Sequence, residues 1–323
     1  MITFVSGIYG AGKTTTAKSL GGRYVDYDAS HDYQAGDHDP MPLLLSLQPG
    51  DVVDAIPFRT PAPGRHKWDR FTGWASGRDV RVVVAACSQK AWRKRVGSRA
   101  DDKQWCRFWV EAFGLLPAAE WLSTEDGTAK PITREQAAEL VGLRAALRGY
   151  VTTHALEWHD AKYQDIPALG LAGYSESRRS WDVISRLVDW KGKTVVDAGC
   201  NHAYFSVMAW KVGAARVVGL DAHPFAVAVG NCAAFLEGAG EAVSVRRWSA
   251  GEPVPVPRED VLLCLNAIHH FGDKADHFLA IQMAPVAIYE AGTEWCATLR
   301  KHYAKVKAHP SHRAGRSVFL CER

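Results

Sequence analysis

The sequence contains no apolar run long enough to cross a membrane and no pair of cysteines separated by two residues. The first absence excludes a transmembrane helix, which needs about 20 consecutive apolar residues, and no charged segment with a cleavage site precedes the first apolar stretch. The second argues against a zinc site or a disulfide framework, since the seven cysteines are an odd number and Cys87, Cys264 and Cys321 lie in apolar stretches. We therefore expect a cytoplasmic protein with reduced, buried thiols and no membrane contact.

The sequence also lacks a large excess of one charge, internal repeats and low-complexity tracts. Its net charge of +4 is only mildly basic, so a nucleic-acid partner is permitted but not indicated. The length of 323 residues is about twice that of a usual domain, and an apolar content of 47% is ordinary for a globular protein. These values predict two domains, each with its own core.

The clearest motif that is present lies at the start of the chain. Residues 7–14 read Gly-Ile-Tyr-Gly-Ala-Gly-Lys-Thr, which fits GxxxxGK[ST], and they follow the apolar residues 2–5. In such a loop the backbone N–H groups surround phosphates, the lysine reaches the β- and γ-phosphates, and the hydroxyl after it holds Mg²⁺. The motif predicts a site for ATP and Mg²⁺; a glycine-rich turn with a chance lysine is the alternative. The predicted nucleotide-binding residues are Gly7, Gly10, Gly12, Lys13, Thr14 and Thr15, with Lys13 also catalytic and Thr14 also a Mg²⁺ ligand.

Acidic residues end the next two predicted strands. Asp26 and Asp28 share one face of a strand over residues 23–28, because side chains alternate with period two. This Asp-x-Asp after the loop resembles small-molecule kinases of the shikimate and gluconate kinase type. The resemblance implies that such acids contact Mg²⁺ and the acceptor hydroxyl, and phosphoryl transfer needs an acid that takes the hydroxyl proton. Asp28 is predicted as that acid and as a metal ligand, and Asp54 as a second ligand; solvated acids at strand ends are the alternative.

A basic segment follows the strand predicted over residues 80–86. Helical spacing would bring Arg95 and Arg99 to the same face at i and i+4, as a fork suited to phosphate contacts and to stabilising charge in the transition state. Nucleotide and small-molecule kinases carry an arginine-rich lid at this point, and the resemblance implies that both arginines are catalytic. A solvated basic helix face is the alternative.

A second nucleotide-type signature lies in the C-terminal half. Residues 193–206 predict a strand, a tight loop and a helix, and the next predicted strand, residues 216–221, ends in Asp221. In a Rossmann-like crevice the loop approaches the ligand closely and an acid at the next strand end accepts hydrogen bonds from ribose hydroxyls. A plain NAD-binding domain is the competing interpretation, but its GxGxxG fingerprint is absent.

The core of this signature, Asp197-Ala198-Gly199-Cys200-Asn201, resembles motif I of class I S-adenosylmethionine-dependent methyltransferases. In that resemblance residues 260–271 supply the fourth strand and the motif after it, and residues 285–290 and 317–321 supply the fifth and seventh strands. The family usually has glycines where Asn201 and Ala203 stand, so the loop has less room. The resemblance implies S-adenosylmethionine as cofactor and the following residues at it: Asp197, Gly199, Asn201, Asp221 and Asn266.

Two histidines follow the predicted fourth strand, on the acceptor side of the crevice. Methyl transfer needs proximity, orientation and sometimes a base, and histidine has the side-chain pKa suited to that near neutrality. His269 and His270 are therefore predicted as catalytic; structural histidines closing the strand are the alternative. The signature Asn-Pro-Pro-Tyr of adenine methylation in DNA is absent. Before the first core strand, Tyr163, Gln164 and Arg178 are candidates for a lid, with an ordinary polar connection as the alternative.

The polar residues 123–131 interrupt the apolar pattern and lead into a helix cap at Thr133. We predict an α/β protein of two doubly wound domains: a P-loop kinase-like domain over 1–125, a helical linker and lid over 126–180, and a Rossmann-like class I methyltransferase domain over 181–323. The function predicted is an ATP-dependent phosphotransferase plus a methyltransferase, acting in sequence on one metabolite, nucleotide or modified nucleobase. The alternative is a nucleotide-binding regulatory module with a non-catalytic methyltransferase fold.

Overall fold

The computed structural model describes residues 1–7, 11–26, 46–54, 74–116, 118–153, 163–255, 259–282 and 284–323. The chain divides into two compact units, Met1–Tyr150 and Val151–Arg323. Each unit is built on a mainly parallel sheet with helices between the strands, so the predicted α/β class is confirmed. None of the described helices is long and apolar enough to span a bilayer.

The first unit contains a sheet of six strands in the order β2-β3-β1-β4-β5-β6. All neighbours are parallel except β6, which is antiparallel to β5. The strands are β1 (Ile2–Ser6), β2 (Arg23–Asp26), β3 (Asp51–Asp54), β4 (Val80–Ala86), β5 (Glu120–Ser123) and β6 (Lys130–Ile132). The helices are α1 (Lys13–Ser19), α2 (Gln89–Val96), α3 (Asp102–Leu115), α4 (Arg134–Val141) and α5 (Leu143–Thr153), which runs across the division.

Both faces of this sheet are packed, which explains why β1 is apolar along its whole length. Phe4 faces one core with Val53 and Trp74. Val5 points to the opposite face and packs with Ala17 of α1. The chain places β2 and β3 on one side of β1, then crosses to β4 and β5 on the other. Such a reversal of strand order leaves a crevice at the carboxyl ends of β1 and β4.

The structure moves the predicted boundary at residue 125. Residues 126–150 belong to the first unit, because β6 extends its sheet and α4 contacts β4 and β5. The predicted cap is confirmed: Thr133 Oγ1 accepts from Gln136 N at 3.2 Å, and Gln136 Oε1 accepts from Thr133 N at 2.8 Å. Two helices, α4 and α5, follow this cap, because the chain turns at Gly142, whose φ is 66°.

The second unit contains a sheet of seven strands in the order β12-β13-β11-β10-β7-β8-β9, in which β13 is antiparallel to both of its neighbours. The strands are β7 (Thr194–Ala198), β8 (Arg216–Asp221), β9 (Val243–Arg247), β10 (Val261–Leu265), β11 (Val286–Gly292), β12 (Lys305–Pro310) and β13 (Arg316–Glu322). The helices are α6 (Ser177–Ile184), α7 (Tyr204–Lys211), α8 (Pro224–Leu236), α9 (Ala275–Ile281) and α10 (Trp295–His302).

The two faces of this sheet also carry separate cores. Val196 lies in the core formed with Phe278 of α9, and Val195 in the core formed with Phe205 of α7 and Trp181 of α6. The strand order reverses between β7 and β10, so the crevice expected at a reversal lies at the carboxyl ends of these two strands. Cys87, Cys264 and Cys321 are buried free thiols, as predicted.

Candidate functional site

A cavity of about 960 Å³ opens in the second unit at the strand reversal. Its wall comes from the turns that follow β7, β8 and β10, from the segment before α6, and from the turn between β12 and β13. The lining residues include Tyr163, Tyr174, Gly199, Asn201, Asp221, Trp248, Asn266, His269, His270, Arg313 and Arg316. Four of the five residues predicted at the cofactor, and both predicted histidines, therefore line one cavity.

The turn after β7 fits around a residue without a side chain. Gly199 has a φ of +76°, and a Cβ at this position would stand 2.3 Å from the Cβ of Ala267 after β10. Its N–H donates to Leu220 O at 2.8 Å, which ties the turn to β8. Only glycine allows this close approach of the two strand ends.

Asn201 and Ala203, which stand where the family usually has glycines, both have a left-handed backbone conformation. Asn201 has a φ of 50° and Ala203 a φ of 63°. Asparagine tolerates this conformation, whereas alanine is strained by roughly 1–2 kcal/mol. The room for the Ala203 methyl group comes from α8, where a Cβ on Gly230 would stand 3.2 Å from the Ala203 Cβ. Gly230 on α8 thus leaves room for the Ala203 methyl group. This room would not be needed if position 203 were a glycine.

Asp221 ends β8 with its side chain fixed at the cavity wall. One carboxylate oxygen accepts from Asn201 N at 2.9 Å, and the other accepts from His223 N at 2.9 Å. The residue is 8% exposed. These two bonds hold the carboxylate in one orientation at the cavity wall.

Asp197, predicted at the cofactor, has a different place. It does not line the cavity; it is 1% exposed, and Ser206 Oγ of α7 donates to its carboxylate at 2.7 Å. Burial, with a smaller effect of the nearby Asp221 charge, raises the pKa of Asp197 to about 7. The side chain therefore joins β7 to α7 below the turn.

We expect Asp197→Asn to change how stability depends on pH. The folded protein retains a proton that the unfolded chain, with a carboxyl pKa near 3.9, releases, so stability falls as pH rises from about 4 to about 7 and levels off above that. Asparagine removes this loss. The variant should match the wild type near pH 4 and gain up to roughly 4 kcal/mol above pH 7. Urea unfolding of both proteins across this range measures the difference; a difference that does not change with pH would contradict the role given to Asp197.

Asn266 follows β10 with a φ of 56° and belongs to a buried polar network. Its Nδ2 donates to Glu290 Oε2 at 2.6 Å, and its Oδ1 accepts from Arg316 at 2.5 Å. Glu290 is fully buried and also accepts from the hydroxyls of Ser180 and Ser311. The network fixes Asn266, so its backbone and amide form a rigid part of the wall.

His269 and His270 lie in a short 3₁₀ helix directly after this asparagine. Both side chains are exposed to the cavity, with ring centroids 4.0 Å apart. Partial burial, followed by the charges of His270 and Arg316, lowers the pKa of His269. A neutral imidazole is therefore favoured at His269 near neutral pH.

The predicted lid residues separate into three positions. Tyr163 lines the cavity, and its ring meets that of Tyr174 edge-on at 5.4 Å. Gln164 is buried and accepts from Tyr204 N at 3.3 Å, which holds this segment over the start of α7. Arg178 is exposed on α6 and does not line the cavity.

The predicted phosphate loop of the first unit leaves β1 at the strand reversal. A Cβ on Gly7 would stand 2.9 Å from Lys13 Cγ and 3.1 Å from Ala85 O, so Gly7 lets the lysine stem pass close to β4. Gly12 has a φ of +88° and precedes α1, on which Thr14 and Thr15 are exposed. Gly10 and Asp28 lie outside the described residues. Their predicted roles stay predictions.

The register of the strands places a predicted metal ligand at the level of this loop. Asp54 pairs with Val5 of β1 and with Asp26 of β2. Since β1 ends one residue after Val5, the backbone of Asp54 lies at the strand edge where the loop begins. In the described part of the chain, no three His, Cys, Asp or Glu residues group together as a metal site.

The helical spacing predicted for Arg95 and Arg99 is not present in the structure. Helix α2 ends at Val96 because Gly97, with a φ of 58°, turns the chain, so Arg99 lies in a separate 3₁₀ turn. Arg95 donates to the carbonyl oxygens of Thr124 and Glu125 after β5. Thr124 Oγ1 in turn donates to Ala11 O at 2.5 Å. Arg95 is therefore linked to the predicted phosphate loop through Thr124, which binds Ala11 of that loop.

The sequence reasoning missed Glu290, Arg313 and Arg316. The sequence did carry an indication for Glu290, since this acid ends the apolar run of β11. It carried no such local indication for the two arginines. They reach the cavity because β13 is antiparallel, so its first residue, Arg316, lies opposite Gly292 at the carboxyl end of β11.

Comparisons with known proteins concern mainly methyltransferases. No protein-family model matches the chain. The chain is 27% identical over 203 residues to a ribosomal protein L11 methyltransferase of Tolumonas auensis. The aligned region covers 58% of this chain and 59% of that protein. A solved structure of WbdD aligns at 18% identity with a TM-score of 0.41, over 50% of this chain and 43% of that one. A methyltransferase structure from Aquifex aeolicus aligns at 16% identity with a TM-score of 0.36, over 44% of this chain and 88% of that one.

The chain spans about three fifths of the length of the curated relatives it matches. The second unit is a Rossmann-like α/β fold similar to that of class I S-adenosylmethionine-dependent methyltransferases, as the sequence resemblance implied.

Proposed function

We propose that the second unit is an S-adenosylmethionine-dependent methyltransferase. The observation that carries this proposal is Asp221, whose carboxylate lines the cavity beside the Gly199 turn and is oriented by two backbone N–H groups. An acid at the end of the second strand of such a crevice is the acceptor that ribose hydroxyls require. The sequence relatives, which are ribosomal protein L11 methyltransferases, support the same activity.

The residues present fit this cofactor. Gly199 lines the cavity with backbone alone, so a ligand can approach the turn closely. Leu220, Ala222 and Trp248 give the cavity an apolar side beside Asp221, suited to a base. Bound S-adenosylmethionine supplies an electrophilic methyl group on a sulfonium, and the protein contributes orientation and exclusion of water.

On the acceptor side, His269 is the proposed base. Its ring is exposed to the cavity, and its lowered pKa keeps the imidazole neutral, so it can take a proton from a hydroxyl or an amine. His270 lies against it and adds a second ring to the same wall. The proposed acceptor is a small molecule or nucleotide.

We expect Asp221→Ala to weaken binding of S-adenosylmethionine by about 1.5 to 3 kcal/mol, the worth of hydrogen bonds to a charged group. Calorimetric titration of wild type and variant measures the loss. An analogue that lacks a ribose hydroxyl should bind the wild type more weakly and bind the variant with nearly the same affinity as the parent compound, because the acceptor for that hydroxyl is already gone.

A matched control is Asp260→Ala. Asp260 also accepts a backbone N–H, from Thr194 at 2.7 Å, but it precedes β10 at the opposite edge of the sheet. Its loss should lower stability and leave cofactor affinity unchanged. Equal affinity of wild type and Asp221→Ala, or an equal loss in Asp260→Ala, would remove Asp221 from the site.

A second candidate activity is transfer of the γ-phosphate of ATP by the first unit, with Mg²⁺. The observation that favours it is the position of Gly7, Gly12 and Lys13 at the strand reversal, where the lysine stem passes against Gly7. Thr14, Asp28 and Asp54 are the proposed metal ligands, and Asp28 the proposed base. The γ-phosphate would pass to a polar acceptor.

Both activities are proposed to serve one acceptor in sequence. Two sites on one chain raise the effective concentration of a shared intermediate. The phosphorylated compound should then be the better methyl acceptor, or the methylated compound the better phosphate acceptor. Labelled methyl and labelled phosphate followed in one reaction test this. Labels that always end on different molecules would contradict it.

A further inference from the structure

The turn between β12 and β13 presents two arginines to the acceptor side of the cavity. Arg313 and Arg316 both line the cavity, together with His269 and Tyr163. Arg316 begins β13 opposite Gly292, at the strand end next to Glu290. The Arg316 charge is close enough to His269 to lower the pKa of that ring. Two guanidinium groups therefore lie beside the proposed base.

Neutral groups hold both guanidinium groups in place. Arg313 donates to Ser175 O at 2.6 Å and to Tyr163 Oη at 3.4 Å, and its guanidinium carbon lies 5.8 Å from the centre of the Tyr163 ring. Arg316 donates to the amide oxygen of Asn266. These contacts orient the side chains without neutralising their charge.

The carboxylates nearby do not balance these charges. Glu290 is buried, and its two oxygens already accept from Ser180, Ser311 and Asn266. Among the residues that the structure describes, no carboxylate lies within 4.0 Å of the guanidinium nitrogens of Arg313 or Arg316. The Nε of Arg313 is buried and has no hydrogen-bond partner in that part of the chain. Guanidinium groups that line a cavity and pair with no carboxylate at ion-pair distance favour an anionic ligand.

We propose that Arg313 and Arg316 form a subsite for an oxyanion group, a phosphate or a carboxylate, carried by the methyl acceptor. Planar guanidinium forks match both groups in geometry and bind them through paired N–H donors. The subsite would hold the acceptor by this group with another atom near His269. The inference rests on the proposed methyltransferase function and narrows its substrate to an anionic compound.

The test uses the full chain with Lys13→Ala, so that phosphate bound in the first unit does not contribute. Inorganic phosphate and acetate are titrated calorimetrically with S-adenosylmethionine present. At least one anion should bind, and its dissociation constant should rise about tenfold or more when Arg313→Gln or Arg316→Gln is added. Tighter binding of phosphate indicates a phosphorylated acceptor, and tighter binding of acetate indicates a carboxylate.

Two further variants keep the result interpretable. Arg300→Gln removes an exposed arginine of α10 that does not line the cavity, so it should leave anion binding unchanged. Arg316→Lys keeps the charge but loses the fork, and should recover part of the affinity lost in Arg316→Gln. Thermal unfolding of each variant verifies that it is folded.

Anion binding that is absent, or equal in the glutamine variants and in their parent, would overturn this inference while S-adenosylmethionine still binds. Absence of S-adenosylmethionine binding in every protein would instead overturn the proposed function. The two failures are therefore distinguished in one set of titrations.

Discussion

Gly199→Ala should weaken binding of S-adenosylmethionine by about 100-fold and lower the free energy of unfolding by roughly 2 to 5 kcal/mol. The new methyl group would stand 2.3 Å from Ala267 Cβ, and the residue would have to hold a φ of +76°. The turn must then move away from β10, which displaces the N–H of Asn201 that orients Asp221. Cofactor affinity by calorimetry and stability by urea unfolding measure the two effects.

A matched glycine separates strain from collision. Gly238 in the same unit has a φ of +78° and nothing within 4 Å of the place that a Cβ would occupy. Gly238→Ala should therefore cost only about 1 to 2 kcal/mol and leave cofactor affinity unchanged. In the double variant Gly199→Ala with Ala267→Gly the collision is removed, so part of the affinity should return. A cost in Gly199→Ala no larger than that in Gly238→Ala would contradict the close approach.

The strands of the second unit could be predicted because local pattern and tertiary environment agree there. Arg216–Asp221 is an apolar run after a turn and ends on an acid, and the structure gives β8 the same bounds. The seventh strand was expected over residues 317–321 and extends one residue further at each end. The hydrophobic pattern and the turn residues are enough to predict the bounds of a strand that is buried on both faces.

The predictions that failed depend on single turns or on distant neighbours. The fork of Arg95 and Arg99 assumed that a helix continues past Gly97, although a glycine with a positive φ is a common helix end. The boundary at residue 125 failed because β6 pairs with β5 after only a short turn.

Arg313 and Arg316 could not be assigned from the sequence. Nothing in their own segment indicates that antiparallel pairing with β11 brings Arg316 beside Asn266, 50 residues earlier in the chain, and Arg313 to the same cavity. The same limit applies to Gly230. The role of Gly230 in leaving room for the Ala203 methyl group is visible only when the packing of α8 against Ala203 is known. Local motifs indicated Gly199, Asp221 and the two histidines of the cavity wall, whereas tertiary pairing was needed to bring Arg313 and Arg316 to the same cavity.

Lys13→Ala should weaken binding of ATP with Mg²⁺ by more than about 100-fold and abolish phosphoryl transfer. The lysine stem passes against Gly7 toward the crevice at the strand reversal, and its ammonium group is proposed to neutralise the β- and γ-phosphates. Loss of a charge-assisted contact accounts for up to about 3 kcal/mol of binding, which corresponds to a factor of roughly 150. Calorimetric titration of ATP in the presence of Mg²⁺ measures the change.

Lys18→Ala is the matched control, because Lys18 is an exposed lysine of the same helix whose ammonium nitrogen lies 5.2 Å from the centre of the Tyr24 ring. It should bind ATP as the wild type does. Both variants should keep the wild-type affinity for S-adenosylmethionine, since the proposed cofactor residues all belong to the second unit. Wild-type protein that binds no nucleoside triphosphate at millimolar concentration would contradict the phosphotransferase proposal, and loss of S-adenosylmethionine binding in Lys13→Ala would contradict the independence of the two sites.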